Sequence, residues 1–225
     1  MMYNNEHIQK SEGGDRLNRG RFLTLEGIDG SGKTTQIAHI AEILRASGEE
    51  AMLLREPGGT LISEEIRGVL LNKQNTAMSV ETELLLFAAA RAQLVREVIE
   101  PALARGVWVV CDRFMDSTTA YQGYGRQIDL DLINQLNSIA VGGCIPDITI
   151  LFDLSVDHAA ARLAGRSGKT DRLDLESRAF AQRTRLGYLE IAALEPERFR
   201  IVDAEMTEDQ IAQQIKSIIR EGTSL

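Results

Sequence analysis

The chain is predicted to fold as a three-layer α/β domain on a five-stranded parallel sheet, and three observations predict it. Apolar runs at 22–25, 51–54, 107–111 and 148–152, with a weaker one at 199–202, are separated by stretches of helical periodicity. That alternation is the mark of strands covered by helices on both faces. A glycine loop joins the first run to the first helical stretch, and 225 residues suffice for one substantial core without a linker that would divide it. Residues 21–225 therefore read as one domain, preceded by a polar tail over 1–20 that contains Gly13-Gly14 and has no periodicity.

Each element follows from its residues. Phe22-Leu23-Thr24-Leu25 forms the first strand, and Ile37, Ile40, Ala41 and Leu44 place one apolar face on the first helix, with Gly48 just past its end. The second run ends at Arg55-Glu56-Pro57. A long helix is expected from about 79 to 99, stopping near Pro101 because proline lacks the amide hydrogen that a helix interior needs. Val107-Trp108-Val109-Val110-Cys111 is a buried strand ending at Asp112, and the fourth run ends at Asp153. Thr207-Glu208-Asp209-Gln210 opens the last helix with a capping-box pattern, followed by Ile211, Ile215, Ile218 and Ile219. In such sheets ligands bind beyond the carboxyl ends of the strands. The residues to weigh are thus Glu26, Arg55-Glu56-Pro57, Asp112-Arg113 and Asp153.

Composition narrows the function. A net charge of −8 argues against a general nucleic-acid binder, which needs a basic surface. No apolar stretch reaches membrane-spanning length, since the run at 83–90 ends at Arg91, and the N-terminus lacks the basic-then-apolar pattern of a signal peptide. Two cysteines, Cys111 and Cys144, make no disulfide framework, which fits a cytoplasmic setting.

Gly27-Ile28-Asp29-Gly30-Ser31-Gly32-Lys33-Thr34 is a complete G-x-x-x-x-G-K-[ST] loop, continued by Thr35. Glycines let backbone amides turn toward phosphate oxygens, Lys33 can reach the β- and γ-phosphates, and the Thr34 hydroxyl can bind Mg²⁺. Asp112, at the end of an apolar strand, can hold Mg²⁺ or its waters. Arg113 beside it has the planar guanidinium of a phosphate clamp. No guanine-reading N-K-x-D motif is present, because Asn72-Lys73-Gln74-Asn75 lacks the acid. Motor and transporter coupling motifs are also missing, which leaves a small kinase.

The acceptor is suggested by a resemblance. Leu25 to Thr35, Arg55-Glu56-Pro57-Gly58-Gly59-Thr60, Leu86-Phe87-Ala88-Ala89-Ala90-Arg91, Asp112-Arg113-Phe114 and Ser117-Thr118-Thr119-Ala120-Tyr121-Gln122 occur in the order and spacing of the thymidylate (dTMP) kinases. The chain resembles the bacterial form from about Phe22 onward. The resemblance implies a P-loop nucleoside monophosphate kinase fold, ATP with Mg²⁺ as donor, dTMP as acceptor, dTDP as product, and a homodimer formed through the helix at about 79–99. It implies that Phe87 stacks on thymine, Arg91 donates to a base carbonyl, and Arg55 grips the acceptor phosphate with Arg113. Asp29 would accept from the 3′-hydroxyl and Tyr121 would crowd a 2′-hydroxyl. Thr118 is a weaker candidate for the base, Gln122 for the sugar-side network, and Ser117 for a helix cap. It also implies a cis Glu56-Pro57 bond. Because Ile28, Asp29, Gly30 and Ser31 include no cation, the lid at about 162–173 is expected to supply one, Arg166 first and Arg172 second, with Arg162 and Lys169 nearby. The alternatives are a related P-loop kinase for another nucleotide or deoxynucleoside, and a nucleotide-dependent switch without turnover.

Overall fold

The computed structural model describes residues 19–165, 172–173 and 176–223. Its sheet has five strands, β1 (Phe22–Glu26), β2 (Ala51–Arg55), β3 (Trp108–Asp112), β4 (Ile148–Asp153) and β5 (Phe199–Asp203), in the order β2-β3-β1-β4-β5. All four pairings are parallel, with Leu25 opposite both Asp112 on β3 and Ile150 on β4. The expected five-stranded parallel sheet is what the chain forms. β1, β3 and β4 are buried on both faces and read as continuous apolar runs, whereas β2 and β5 at the edges are only partly buried. The two polar residues inside the core strands satisfy each other, since the hydroxyls of Thr24 and Thr149 lie 2.8 Å apart.

Alternate side chains of β1 feed opposite cores. Leu23 and Leu25 pack with Ile40 and Leu44 of α1 (Lys33–Ala46) and with Ile211, Ile215 and Ile219 of α9 (Glu208–Thr223). On the other face, Phe22, Val109 and Cys111 meet Leu94 of α3 (Val80–Leu94) together with Val95 and Ile99 beyond it. The remaining helices are α2 (Leu61–Leu71), α4 (Glu100–Ala104), α5 (Met115–Thr118), α6 (Leu130–Val141), α7 (Val156–Ala164) and α8 (Arg178–Leu194). The capping box of α9 forms as expected: Thr207 N donates to Gln210 Oε1 at 3.0 Å and Gln210 N donates to Thr207 Oγ1 at 3.4 Å.

Three expectations are corrected. The long helix does not stop at Pro101. It widens into π turns at Val95–Ile99 and continues as α4, and the wider turns just before Pro101 change the hydrogen-bond register where its N–H is missing. Arg19 and Gly20, expected in the tail over 1–20, belong to the fold, since Arg19 pairs with Asp147 and Gly20 N donates to Leu103 O at 2.8 Å; residues 1–18 lie outside the described ones. Ser117 does not cap a helix; it donates to Glu26 Oε2 at 2.6 Å.

β1 and β3 are neighbours in the sheet although β2 separates them in sequence. The chain therefore leaves β1 toward one edge and returns toward the other, and the crevice at this switch point opens above the phosphate loop and Asp112.

Candidate active site

One cavity of about 670 Å³ runs across this crevice. The phosphate loop, Thr34, Thr35 and Asp112 line one part, and Arg55, Phe87, Thr118, Tyr121 and Gln122 line another. The loop's shape demands glycine: Gly27 has φ 138°, and a Cβ there would lie 2.6 Å from Phe152 O. Lys33 begins α1, and its ammonium donates to Gly27 O at 2.9 Å, Ile28 O at 3.0 Å and Ser31 Oγ at 3.2 Å. Burial, followed by the Arg113 charge, lowers its pKa to about 8 despite Asp112, Asp29 and Glu26.

Arg113 leaves β3 in the left-handed region, φ 71°, which turns its side chain back over the loop. Its guanidinium donates to Gly27 O at 3.0 Å and to Asp29 Oδ1 at 2.7 Å, and lies 5.1 Å from the Tyr121 ring centre. Asp29 also accepts from the Tyr121 hydroxyl at 2.9 Å. Burial pushes the Asp29 carboxyl up, but Arg113 and Lys33 outweigh it and hold the pKa at about 2. Beneath them Glu26 accepts from Phe114 N at 2.7 Å, from Ser117 and from the Tyr188 hydroxyl at 2.8 Å. Burial and then Asp116 raise its pKa to about 7. This buried layer fixes the segment after β3 against the end of β1.

Arg55 is half-exposed at the end of β2. It donates to both oxygens of Glu64, at 3.0 and 2.9 Å, and to Pro57 O. The Glu56-Pro57 bond is cis. Phe87 forms a wall of the cavity, but Arg91, one turn later, sits behind that wall. It is 1% exposed and donates to Glu56 Oε2, Asn137 Oδ1, Phe114 O and Thr118 Oγ1 at 2.7–3.1 Å. Its contact with the cavity runs through Thr118 and Glu56. Arg172 is likewise not brought to the phosphate loop: it donates to Leu70 O and pairs with Glu83 on α3. Arg166 and Lys169 lie outside the described residues. Arg162 belongs to α7 and donates to Gly30 O and Ala204 O, joining the phosphate loop to the turn after β5.

Four further polar residues line the cavity. Gln36, Glu56, Arg67 and Glu208 reach the cavity from α1, the turn after β2, α2 and the start of α9. Gln36 and Arg67 face it because helix periodicity turns them inward after the loop and after Ser63, which spacing from the glycine motif could have indicated. Among the described residues no cluster of three or more His, Cys, Asp or Glu could hold a metal by itself. A fit for Mg²⁺ exists nonetheless. Asp112 Oδ1 is buried without a hydrogen-bond partner and shares the cavity with the exposed Thr34, and Mg²⁺ takes few protein ligands, filling its shell with water and phosphate.

Residues 25–215 match the family model described as thymidylate kinase. The chain belongs to the thymidylate kinase family. These enzymes are phosphotransferases that make dTDP from dTMP with ATP. Similar proteins named thymidylate kinase occur in Alcanivorax borkumensis, 50% identical over 90% of this chain and 97% of that protein, and in Trichlorobacter lovleyi, 50% identical over 88% and 96%. The Geobacter sulfurreducens thymidylate kinase is 51% identical over 82% of this chain and 89% of its own length.

Proposed function

We propose that this thymidylate kinase family member transfers the γ-phosphoryl group of ATP directly to a phosphate oxygen of dTMP, in line and without a covalent enzyme intermediate. The observation that carries this reading is the position of Arg113, which touches the phosphate loop at Gly27 O while its flank rests on Tyr121 in the same cavity. One guanidinium can therefore serve both nucleotides at the point of transfer.

Lys33 and the amides of Gly27, Ile28, Asp29, Gly30, Ser31, Gly32, Thr34 and Thr35 hold the donor phosphates. Arg55 exchanges Glu64 for the acceptor phosphate and grips it with Arg113. Phe87 stacks on the base, with Thr118 beside it and Gln122, expected on the sugar side, at the level of the base instead; Arg91, expected on a base carbonyl, orients Thr118 from behind. Asp29 accepts from the 3′-hydroxyl, and Tyr121 crowds the position a 2′-hydroxyl would take. Arg166 is the lid cation for the transferring group. Thr34 and Asp112 would hold Mg²⁺ or its waters, and the bound ion supplies charge neutralisation on the phosphates. No general base is required, because the attacking phosphate oxygen is already anionic.

We also infer a homodimer through α2 and α3 and a reducing, cytoplasmic setting. The support is the exposed apolar residues on those helices and two unpaired cysteines; among the described residues no helix is long and apolar enough to cross a membrane. ATP turnover measured with dTMP, dUMP, dCMP, dGMP and thymidine tests the reading. Turnover should depend on dTMP and fall for the other acceptors. ATP hydrolysis indifferent to any acceptor would favour a nucleotide switch instead.

A further inference from the structure

Glu83 has no place in the phosphate chemistry, yet it is 1% exposed and fully engaged. Its Oε1 accepts from Gln122 Nε2 at 2.7 Å and from Arg126 Nε at 3.2 Å. Its Oε2 accepts from Arg126 Nη2 at 3.0 Å and pairs with Arg172. Burial alone would raise its pKa, but Arg126, Gln122 and Arg172 together lower it, so the group is an ionised, acceptor-only carboxylate. Glu83 lies one helical turn before Phe87 on the same side of α3, and Gln122 lies four residues after Thr118. Phe87, Thr118 and Gln122 all line the cavity. The Gln122 amide therefore stands at the level of the aromatic wall and not at the phosphates.

We propose that Glu83 is a specificity-determining positioning residue. By accepting one N–H of the Gln122 amide it fixes the amide's orientation, with the carbonyl oxygen on the side away from the carboxylate and open to the acceptor base. A reversed amide would set its oxygen against the carboxylate and leave both without a proton between them. The ligand at this point must then present a donor. An imide N–H, as in thymine or uracil, satisfies the oxygen. The N3 lone pair of cytosine opposes it and leaves a buried acceptor unpaired, the kind of mismatch that discriminates strongly between substrates. Arg126 and Arg172 keep the carboxylate ionised and so keep the amide from turning.

This rests on the dTMP reading and refines it. The test compares kcat/KM for dTMP with that for 5-methyl-dCMP, which keeps the methyl group and replaces the N3–H by a lone pair. It uses the parent, Glu83→Gln, Gln122→Leu and the double variant, each checked for folding by thermal unfolding. A neutral amide at position 83 can donate or accept, which frees Gln122 to turn. Glu83→Gln should therefore lower the dTMP preference by tenfold or more, and should lower it no further in the Gln122→Leu background. Should Glu83→Gln fail to fold, Glu83→Asp keeps the charge near the arginines while withdrawing it from Gln122, and should relax the preference in the same direction. A folded Glu83 variant with the parental preference overturns the proposal, as does an equal effect of Glu83→Gln with and without Gln122. If Gln122→Leu alone keeps the parental preference, the base is not read at Gln122; the proposal then fails with that part of the binding reading, while dTMP-dependent turnover stands.

Discussion

An ammonium group held out of water penalises the folded state, and Lys33 is only 6% exposed. Its pKa falls from the ordinary 10.5 to about 8, which corresponds to about 3 kcal/mol. The sign follows from proton binding. Below about pH 8 both folded and unfolded chains carry the proton, and the penalty is complete. Between about 8 and 10.5 the unfolded chain alone retains it, so stability rises with pH across that window. Lys33→Met should thus unfold at a higher temperature than the parent at pH 7, by on the order of 3–6 °C after the lost hydrogen bonds are deducted, with the gap closing toward pH 10. Turnover should fall at least about a hundredfold, because the cation acts on charge that develops in the transition state. Calorimetry at the two pH values and a coupled ATP assay check both, and an unchanged or lower Tm at pH 7 would count against the assigned penalty. Lys33, Asp112, Arg113, Phe87 and Tyr121 could be picked out in the sequence because each stands beside a strand end or within a short motif. Glu83 and Tyr188 could not, since their partners lie 39 and 162 residues away in the chain and only the fold brings them together.

At the level of elements, Arg91 fastens four segments: α3, the turn after β2 through Glu56, both ends of α5 through Phe114 O and Thr118, and α6 through Asn137. Arg91→Ala leaves Glu56 as an uncompensated buried carboxylate, a change that typically costs about 3–5 kcal/mol. Urea unfolding should show a loss of that order, and KM for dTMP should rise more than KM for ATP, because every segment released adjoins the part of the cavity we propose for the acceptor. The lid separates into two roles. Arg172→Ala should raise KM for dTMP and spare kcat, since its guanidinium meets Glu83. Arg166→Ala should lower kcat by on the order of a hundredfold with KM for dTMP little changed. Steady-state kinetics of the two variants decide this, and equal kcat losses would return Arg172 to the phosphate chemistry. Strand positions were legible to within a residue or so, because buried parallel strands are short apolar runs. The wide turns at Thr119–Gly125 were not. They depend on contact with α8, where a Cβ on Gly125 would come within 2.7 Å of Phe180 and one on Gly187 within 2.6 Å of Tyr124. No local pattern announces a close approach between segments 60 residues apart.

Across the whole molecule, the inward and outward sides of α3 make different demands. Inward, Phe87 forms a wall of the cavity, and Glu83 and Arg91 brace the segments behind it. Outward, Leu85 is 55% exposed, and on the adjoining α2 Leu61, Ile62 and Val69 are 87%, 52% and 46% exposed. Single exposed apolar residues are ordinary, but four on two packed helices form a patch that water does not favour. Covered by the same patch of a second chain it becomes an isologous two-fold interface, in which each α3 supports the other. The protein should then sediment at about twice its 24.9 kDa mass, and Ile62→Glu with Leu85→Glu should yield monomers through like-charge repulsion and desolvation. Such an interface would brace the helix that carries Phe87, so the monomer should bind dTMP more weakly while its KM for ATP changes little. Sedimentation velocity paired with kinetics at the same protein concentrations separates the outcomes. A parent that stays monomeric at micromolar concentration removes the interface, and a monomeric variant with parental KM for dTMP shows that each chain holds its acceptor wall unaided.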